Sequence, residues 1–378
     1  MFNFSKKSKY PLGIDISDLS LKLIQLDKIR GKIKIQAINN ISLKPGIIEN
    51  GEIVNSTEFN KELKVLLSKP LFGTLSSNKV VASLPDSKTY IKLIKVEKGA
   101  NALKDIIANE IQKNIPLSEN DIYYDWQIIS SSKNHLNVLI GAAQKTIVES
   151  YIQHLEQAGL DVIALEPEPA AVIRALIKEE KENTKNEIKN TIKNCGIIDI
   201  GAKRTNIIFY AKGSIISSLS LPISGEEITK KISKTLDINI EQAEKAKIIC
   251  GLDKEKAKGI VSDILKNMVK DLIKKIKDAL DFYETNYEEL GPLENIILCG
   301  GGANIKNLDE EIEKNTGINT KKGSIKDRID ESDEKILKYF TEKVKKDKIK
   351  EEEIKKDLSL SYVSAIGLAL RNICLEED

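Results

Sequence analysis

With 378 residues, the chain is long enough for two domains with sizeable cores. Its 59 Lys and Arg against 57 Asp and Glu leave a net charge of +2, and lysine is scattered with glutamate through helical stretches, which excludes the concentrated basic face of a nucleic-acid binder. No apolar run approaches the about 20 residues that span a bilayer, "MFNFSKKSKY" lacks the apolar centre of a signal peptide, and the four cysteines have no metal-ligand spacing, so a cytosolic chain with reduced thiols is expected.

Taken in chain order, Leu12 to Gln36 alternates like paired strands. A block from about Pro45 to Ala143 follows. It reads as a short strand ("GEIVN"), a helix ("STEFNKELKVLLS"), two strands ("KVVASLP", "TYIKLIKVE"), a helix ("ALKDIIANEIQKNI") and two more strands ("DIYYDWQII", "LNVLIGAA"). Helices and strands do not simply alternate there, which predicts a small α+β module. "KTIVESYIQHLEQAGL" is an amphipathic helix stopped by Gly159, "DVIALE" a strand, and "PEPAAVIRALIKEE" a helix with prolines at its start. The polar stretch "EKENTKNEIKNTIKN" reads as a loop between two halves. The second half opens with a hairpin, "CGIIDIGAKRTNIIFY" (Cys195 to Tyr210). Helical patterns follow over Glu226–Thr235, Ile240–Ile249 and Ser262–Glu289, and "NIILCGGGANIKNLDEEIEKNTG" reads as strand, glycine turn and helix. Asp327 to Lys356 is almost all charge and suggests an exposed helical insertion, and "SLSYVSAIGLALRNI" reads as a closing apolar helix.

The quoted hairpin ends an apolar strand on Asp199, turns at Gly201 and returns past Thr205; "PLGIDISDLSLKLIQL" repeats the pattern with Asp15, Ser17, Ser20 and Lys22. An Asp-bearing hairpin therefore opens each half, which is the mark of an internal duplication. Placed face to face, two such turns would form a clamp. Backbone N–H groups of a tight turn make an anion-binding concavity, Ser20 and Thr205 add hydroxyl donors, and Lys22 adds a point charge. Asp15 and Asp199 suit phosphate only with a cation between, and Mg²⁺ is typically held by one or two carboxylates plus substrate phosphates. The plainer reading has each aspartate bonding its own turn. Two further elements join them. "LCGGGANIKNL" places Gly300, Gly301 and Gly302 where backbone could approach a flat ligand, and "AEKAK" puts Glu244 and Lys247 on one helix face, by itself an ordinary ion pair. His135 and His154 are solitary, Trp126 with Tyr123 and Tyr124 suits the core of the α+β module, and no Ser–His or Cys–His nucleophile set is visible.

The order GIDIxxxSxK, an "EP" strand end, DIGAxxTN, AExxK and GGGAxIxNL resembles the actin, Hsp70 and sugar-kinase ATPase superfamily. Within it the chain is similar to the PilM family of type IV pilus assembly proteins, with the cell-division protein FtsA next in likeness. "PGIIENGEIVN", "IQKNIPLSENDIYYDW", "HLEQAGLDVIALEPEP" and "AIGLALR" carry that resemblance along nearly the whole chain. It implies an α/β, actin-like two-lobed fold of duplicated ribonuclease H-like domains. The first lobe would take 11–44 and 144–194, an inserted SHS2-like α+β module 45–143, and the second lobe 195–378 with a helical subdomain at 226–294. It implies ATP and Mg²⁺ as ligands: Ser17 to Lys22 (Ser17, Ser20, Lys22) as the first phosphate loop, and Gly201, Ala202 and Thr205 in the second. Asp15 and Asp199 would hold the metal, largely through water. Gly300, Gly301 and Gly302 would face the adenosine, and Glu244 and Lys247, joined by Glu226, the ribose or adenine. Glu166 stands where Hsp70-like relatives carry a water-orienting acid, and equally where it could cap the next helix. The first loop departs from the family, with Ser17 in place of a usual Gly and Leu19 in place of a usual hydroxyl.

The expected function is an ATP-binding scaffold with slow ATPase activity at most, acting in type IV pilus or type II secretion-like assembly. It would bind the N-terminal cytoplasmic tail of a PilN-like inner-membrane protein, with pilus motor ATPases and further copies of itself as additional partners. It would sit at the inner face of the cytoplasmic membrane only through partners. The alternative is an FtsA-like polymerising division protein, but the closing "LRNICLEED" is acidic and shows no amphipathic membrane helix. A sugar-kinase or chaperone enzyme would need a substrate cleft or a following substrate domain.

Overall fold

The structure, a computed structural model, describes residues 10–98, 102–114, 119–177, 194–325, 328–330 and 360–375. The expected loop at 180–194 and the charged insertion at 327–356 lie almost wholly outside the described residues. The chain divides into two compact units. Met1–Lys178, Ile325–Glu351 and Tyr362–Asp378 make the first, and Glu179–Ser324 with Glu352–Ser361 the second.

In the first unit, β1 (Leu12–Ser17), β2 (Ser20–Ile29) and β3 (Lys32–Ser42) form an antiparallel meander. A two-residue-strand hairpin follows, β4 (Ile48–Glu49) with β5 (Glu52–Ile53), then helix α1 (Ser56–Ser68) and the short β6 (Phe72–Gly73). Asn55 starts α1 by accepting the Glu58 N–H at 3.1 Å, satisfying one of the orphan donors of a helix start. Strand β7 (Lys79–Leu84) returns parallel to β1, and β11 (Asp161–Pro167) lies parallel to β7. The sheet order is β11-β7-β1-β2-β3-β6. Both faces are covered, so β1 and β7 are buried almost throughout, which is why they read as unbroken apolar runs. The core on one face gathers Leu12, Ile14, Leu21, Leu23, Phe59, Leu63, Val80, Ile147, Tyr151 and Leu155.

Helix α3 (Lys145–Gln157) supplies part of that core and stops at Gly159, whose φ of +85° only glycine adopts cheaply. Helix α4 (Glu168–Leu176) is shorter than its sequence pattern, because Ile177 is already extended. The closing helix, α9 (Val363–Leu375), packs its small residues into the first unit. A Cβ on Gly13 would sit 2.3 Å from the Ala365 carbonyl, and one on Gly367 would sit 1.8 Å from that of Ala171.

The block expected over 45–143 does not behave as one piece. β7 lies inside the six-stranded sheet, and α1 contributes Phe59, Leu63 and Leu66 to its core. Two-sided burial of Val80, Val81 and Ala82 demands that position. A separate cluster begins only with β8 (Thr89–Glu97) and continues through α2 (Leu103–Asn114), β9 (Ile122–Ser131) and β10 (His135–Gln144). β10 pairs antiparallel with both β8 and β9, and Val96, Ile107, Ile111, Ile122, Val138 and Ile140 form its own core. Tyr124 and Trp126 stack at 6.2 Å against that core.

In the second unit, β12 (Cys195–Ile200), β13 (Thr205–Ala211) and β14 (Ser214–Leu221) make another antiparallel meander. Helices α5 (Gly225–Leu236), α6 (Ile240–Cys250) and the long α7 (Ile260–Asn286) follow. Then come β15 (Asn295–Cys299), a single 3₁₀ turn, α8 (Leu308–Thr316) and β16 (Asn319–Lys322). β15 is parallel to β12 and β16 to β15, giving the order β16-β15-β12-β13-β14 within this unit. That is the order β11-β7-β1-β2-β3 repeated. The duplication seen in the hairpins therefore extends to both sheets.

Candidate functional site

Asp15 lies within the buried run of β1, one residue before its last member Ile16, and is 3% exposed. It lies directly opposite Lys22 in the hairpin register, and Lys22 Nζ donates to Asp15 Oδ2 at 2.8 Å. The Ser83 hydroxyl approaches the other oxygen at 3.4 Å and also accepts the Ile16 N–H at 3.0 Å. A buried carboxylate is costly without a partner, and this one has a cation across the strand pair. At the turn, the Ser17 hydroxyl bonds the Ser20 carbonyl and hydroxyl, both at 3.0 Å. Ser17 and Ser20 meet at the turn, and Lys22 is turned onto Asp15. Asp18, which the sequence did not single out, bonds the backbone of Asn50 and Gly51.

Asp199 occupies the matching place on β12, 8% exposed. Beyond it Gly201 N–H donates to the Arg204 carbonyl at 2.9 Å, closing the turn. The carbonyls of Gly201 and Ala202 accept the N–H groups of Gly225 (3.1 Å) and Glu226 (3.0 Å). Those are first-turn donors of α5 that have no partner within the helix, so the turn and the helix start satisfy each other. Ser224 caps the same helix by accepting the Glu227 N–H at 3.2 Å. Thr205 is fully buried and its hydroxyl donates to the Ile223 carbonyl at 2.9 Å, so it braces the turn from behind. Glu226 bridges Lys203 and Lys230, each at 2.8 Å; hydrogen bonds from Lys203 and then Lys230 hold its carboxyl below the usual carboxylate range.

The three glycines divide in role. Gly300 has φ +79°, and a Cβ there would lie 2.2 Å from Asp199 Oδ1; one on Gly302 would lie 2.2 Å from Ile200 Cγ2. Both are required by the end of β12. Gly301 is exposed, with nothing nearer a Cβ than Ser361 Oγ at 4.0 Å, and it alone leaves open space. The structure thus joins Asp199 to the glycine turn, a contact that spacing could not reveal.

Lys247 is the largest departure from the sequence reading. It is buried, and its three ammonium hydrogens match three acceptors: Gly225 O at 3.0 Å, Thr229 Oγ1 at 2.9 Å and Glu244 Oε2 at 2.7 Å. Glu244, partly exposed, also takes the Thr229 hydroxyl. Lys247 is therefore a tie behind α5 and the second turn, and Gly225 lacks a side chain where its ammonium comes close.

Glu166 is 4% exposed at the end of β11. Arg174 of α4 grips it with two nitrogens, at 2.9 and 3.1 Å, and Arg371 of α9 pairs with Oε1. Arg174 also donates to the Gly367 carbonyl at 2.8 Å, and Ser364 reaches Glu168 at 3.0 Å. With both oxygens engaged by guanidinium groups, Glu166 fastens two helices to the sheet. Its place as a water-orienting acid, or as the cap of α4, gives way to that of an anchor.

Among the described residues, no group of three or more His, Cys, Asp or Glu is arranged to hold a metal. A divalent ion at Asp199 would need its other ligands from water and phosphate, which is the ordinary habit of Mg²⁺. Within the second unit, the buried carboxylate of Asp199 and the open backbone at Gly301 fit a phosphate ligand with such an ion, whereas the Thr205 hydroxyl and the Lys247 ammonium are engaged by internal partners.

Residues 13–373 match the profile of the family described as type IV pilus assembly protein PilM. The chain belongs to the PilM family. Among solved structures, the PilM–PilN type IV pilus biogenesis complex matches over 96% of this chain and 98% of that one, with TM-score 0.73 and 19% identity. The ethanolamine utilization protein EutJ of Carboxydothermus hydrogenoformans matches over 96% and 89%, with TM-score 0.53 and 14% identity. FtsA of Staphylococcus epidermidis is 22% identical over 352 aligned residues, covering 80% of this chain and 72% of the relative. FtsA of Bacillus subtilis is 24% identical over 259, covering 62% and 57%. The fold is thus the actin-like α/β fold expected of a PilM family member, with the strand order found twice above. No helix of the described residues is long and apolar enough to cross a membrane.

Proposed function

We propose that this PilM family member is an ATP-binding scaffold of type IV pilus or type II secretion-like assembly, which receives the N-terminal cytoplasmic tail of a PilN-like inner-membrane protein. The likeness to the PilM of a PilM–PilN complex over nearly the full length of both chains carries this reading. The turns after Asp15 and after Asp199 would take phosphate, the two carboxylates would hold Mg²⁺, and Gly301 with Glu244 would meet the nucleoside. Mg²⁺ would neutralise phosphate charge beside the aspartates. Lys22 pairs with Asp15 at the first turn, and Lys247, Thr205 and Glu226 hold the second turn in place. Turnover is slow at most, because Glu166 is tied to two arginines and cannot position water. The module from β8 to β10, narrower than the 45–143 block, receives the tail, and attachment to the inner face of the cytoplasmic membrane comes through that partner. Pilus motor ATPases and further copies of the chain are additional partners.

Calorimetry tests the nucleotide site: ATP binds with Mg²⁺, and Asp199→Ala weakens metal-dependent binding more than binding of nucleotide alone. Equal affinity in all four conditions defeats the assignment. Fluorescence anisotropy with a labelled synthetic N-terminal peptide of the PilN-like protein from the same organism tests the partner. Binding that changes with Mg-ATP by about 5–150-fold is expected of coupled sites, and no binding in either state sinks the partner.

A further inference from the structure

The β4–β5 hairpin connects two parts of the first unit that its own size would not suggest. Its turn is Asn50-Gly51, with φ of +49° and +80°, the left-handed pair that Asn-Gly favours in two-residue hairpins. On one side Asp18, in the turn between β1 and β2, accepts both turn amides: Gly51 N–H at 2.9 Å and Asn50 N–H at 3.2 Å. On the other side the turn meets the segment leading into β8. The Ser87 hydroxyl donates to the Asn50 carbonyl at 3.3 Å, Lys88 pairs with Glu52, and a Cβ on Gly51 would lie 2.5 Å from the Pro85 ring. The buried Tyr151 hydroxyl closes the remaining side, donating to the Gly51 carbonyl at 3.0 Å. Lys88 immediately precedes Thr89, the first residue of the module. A short aspartate at a turn ordinarily bonds its own backbone; Asp18 instead spans 32 and 33 residues to a backbone that can adjust little.

We propose that this hairpin is a strut that carries the state of the β1–β2 turn to the root of the β8–β10–β9 module, with Asp18 as its positioning residue. This rests on reading that turn as a phosphate site. A phosphate held at Ser17–Ser20 stands beside the Asp18 carboxylate, and like charges repel. The carboxylate is then held harder against the two amides of Asn50 and Gly51, and the strut tightens onto Pro85–Lys88. ATP is thereby felt at the base of the module that meets the tail, with no contact between nucleotide and module.

Hydrogen exchange followed by mass spectrometry on the full chain, beside calorimetry of ATP, tests this. In wild type, Mg-ATP slows exchange over 48–53 and over 85–98. Asp18→Ala speeds exchange over 48–53 by about tenfold without nucleotide, as loss of two charge-assisted bonds requires, and abolishes the response over 85–98. The double variant Ser87→Ala, Lys88→Met cuts the other end of the strut; it keeps wild-type ATP affinity and also loses the response over 85–98. If ATP binds wild type and exchange over 85–98 does not change, the strut is wrong while the ATP site stands. A response that survives in either folded variant overturns it equally. Absence of ATP binding removes the phosphate reading of the turn, and the strut's role falls with it.

Discussion

The two Asp hairpins are copies in sequence and in strand order, yet their carboxylates are supported differently. In the first, Asp15 faces Lys22 across the strand pair, and the turn is fixed by a side chain, Asp18, reaching to Asn50 and Gly51. In the second, Asn206 stands opposite Asp199, the glycine turn lies against its carboxylate, and the turn is fixed by backbone bonds to the start of α5. One hairpin is stabilised by charge and the other by close backbone approach. A duplicated motif keeps the chemistry at the strand end and lets each copy find its own support.

The largest effect that separates the copies concerns their glycines. Gly13→Ala drives a methyl into the backbone of α9, and overpacking against atoms that cannot rotate away costs about 3 kcal/mol or more. Gly196→Ala meets only side chains at ordinary contact distance, Leu293 Cδ1 at 3.7 Å and Ile296 Cγ1 at 3.9 Å, and changes stability by less than about 1 kcal/mol. Urea melts of the two variants measure this, and similar losses would erase the distinction.

Next come the lysines. Lys22→Met leaves Asp15 buried without its counter-charge and lowers stability by about 3 kcal/mol. Lys203→Met breaks a more exposed pair with Glu226 and costs about 0.5 kcal/mol. If Lys22→Met proves as mild as Lys203→Met, the first hairpin does not rely on charge.

The smallest effect is a pH dependence at the second hairpin. Lys203 and Lys230 depress the folded-state pKa of Glu226 below its ordinary 4.5. Stability from that group is complete above the unfolded value and is lost as pH falls through the folded one. Denaturation midpoints between about pH 5 and 3 should fall more steeply for wild type than for Lys203→Met, by a few tenths of a kcal/mol given the exposure of the pair. Parallel curves would remove Glu226 from the set.

Much of this was legible because buried strands and tight turns restrict residue choice. "KVVASLP" and "LGIDIS" announce two-sided burial, and Asp in such a run demands a local reason. The helices from Ser56 to Ser68 and from Ile240 to Cys250 carry their caps, Asn55 and Asn239, in the sequence. Other features were not legible. Nothing local tells that Lys247 points inward to Gly225 and Thr229, since a lysine three residues from a glutamate has the same spacing on an exposed face. Arg371 lies 205 residues from Glu166, and no periodicity links them.

The sequence by itself determined most of the strands, most helix limits, the repeated Asp hairpin and the family, because these follow from local propensity, hydrophobic period and motif order; β6, β14 and β16 were not among the strands it marked. Tertiary structure decided which of the marked residues remain available to a ligand. It committed Thr205, Lys247 and Glu166 to internal partners, made Gly300 and Gly302 the seat of β12, and moved β7 from the expected module into the sheet. The reason is physical: a side chain's role depends on the acceptors, charges and space around it, and those are set by residues far away in the chain.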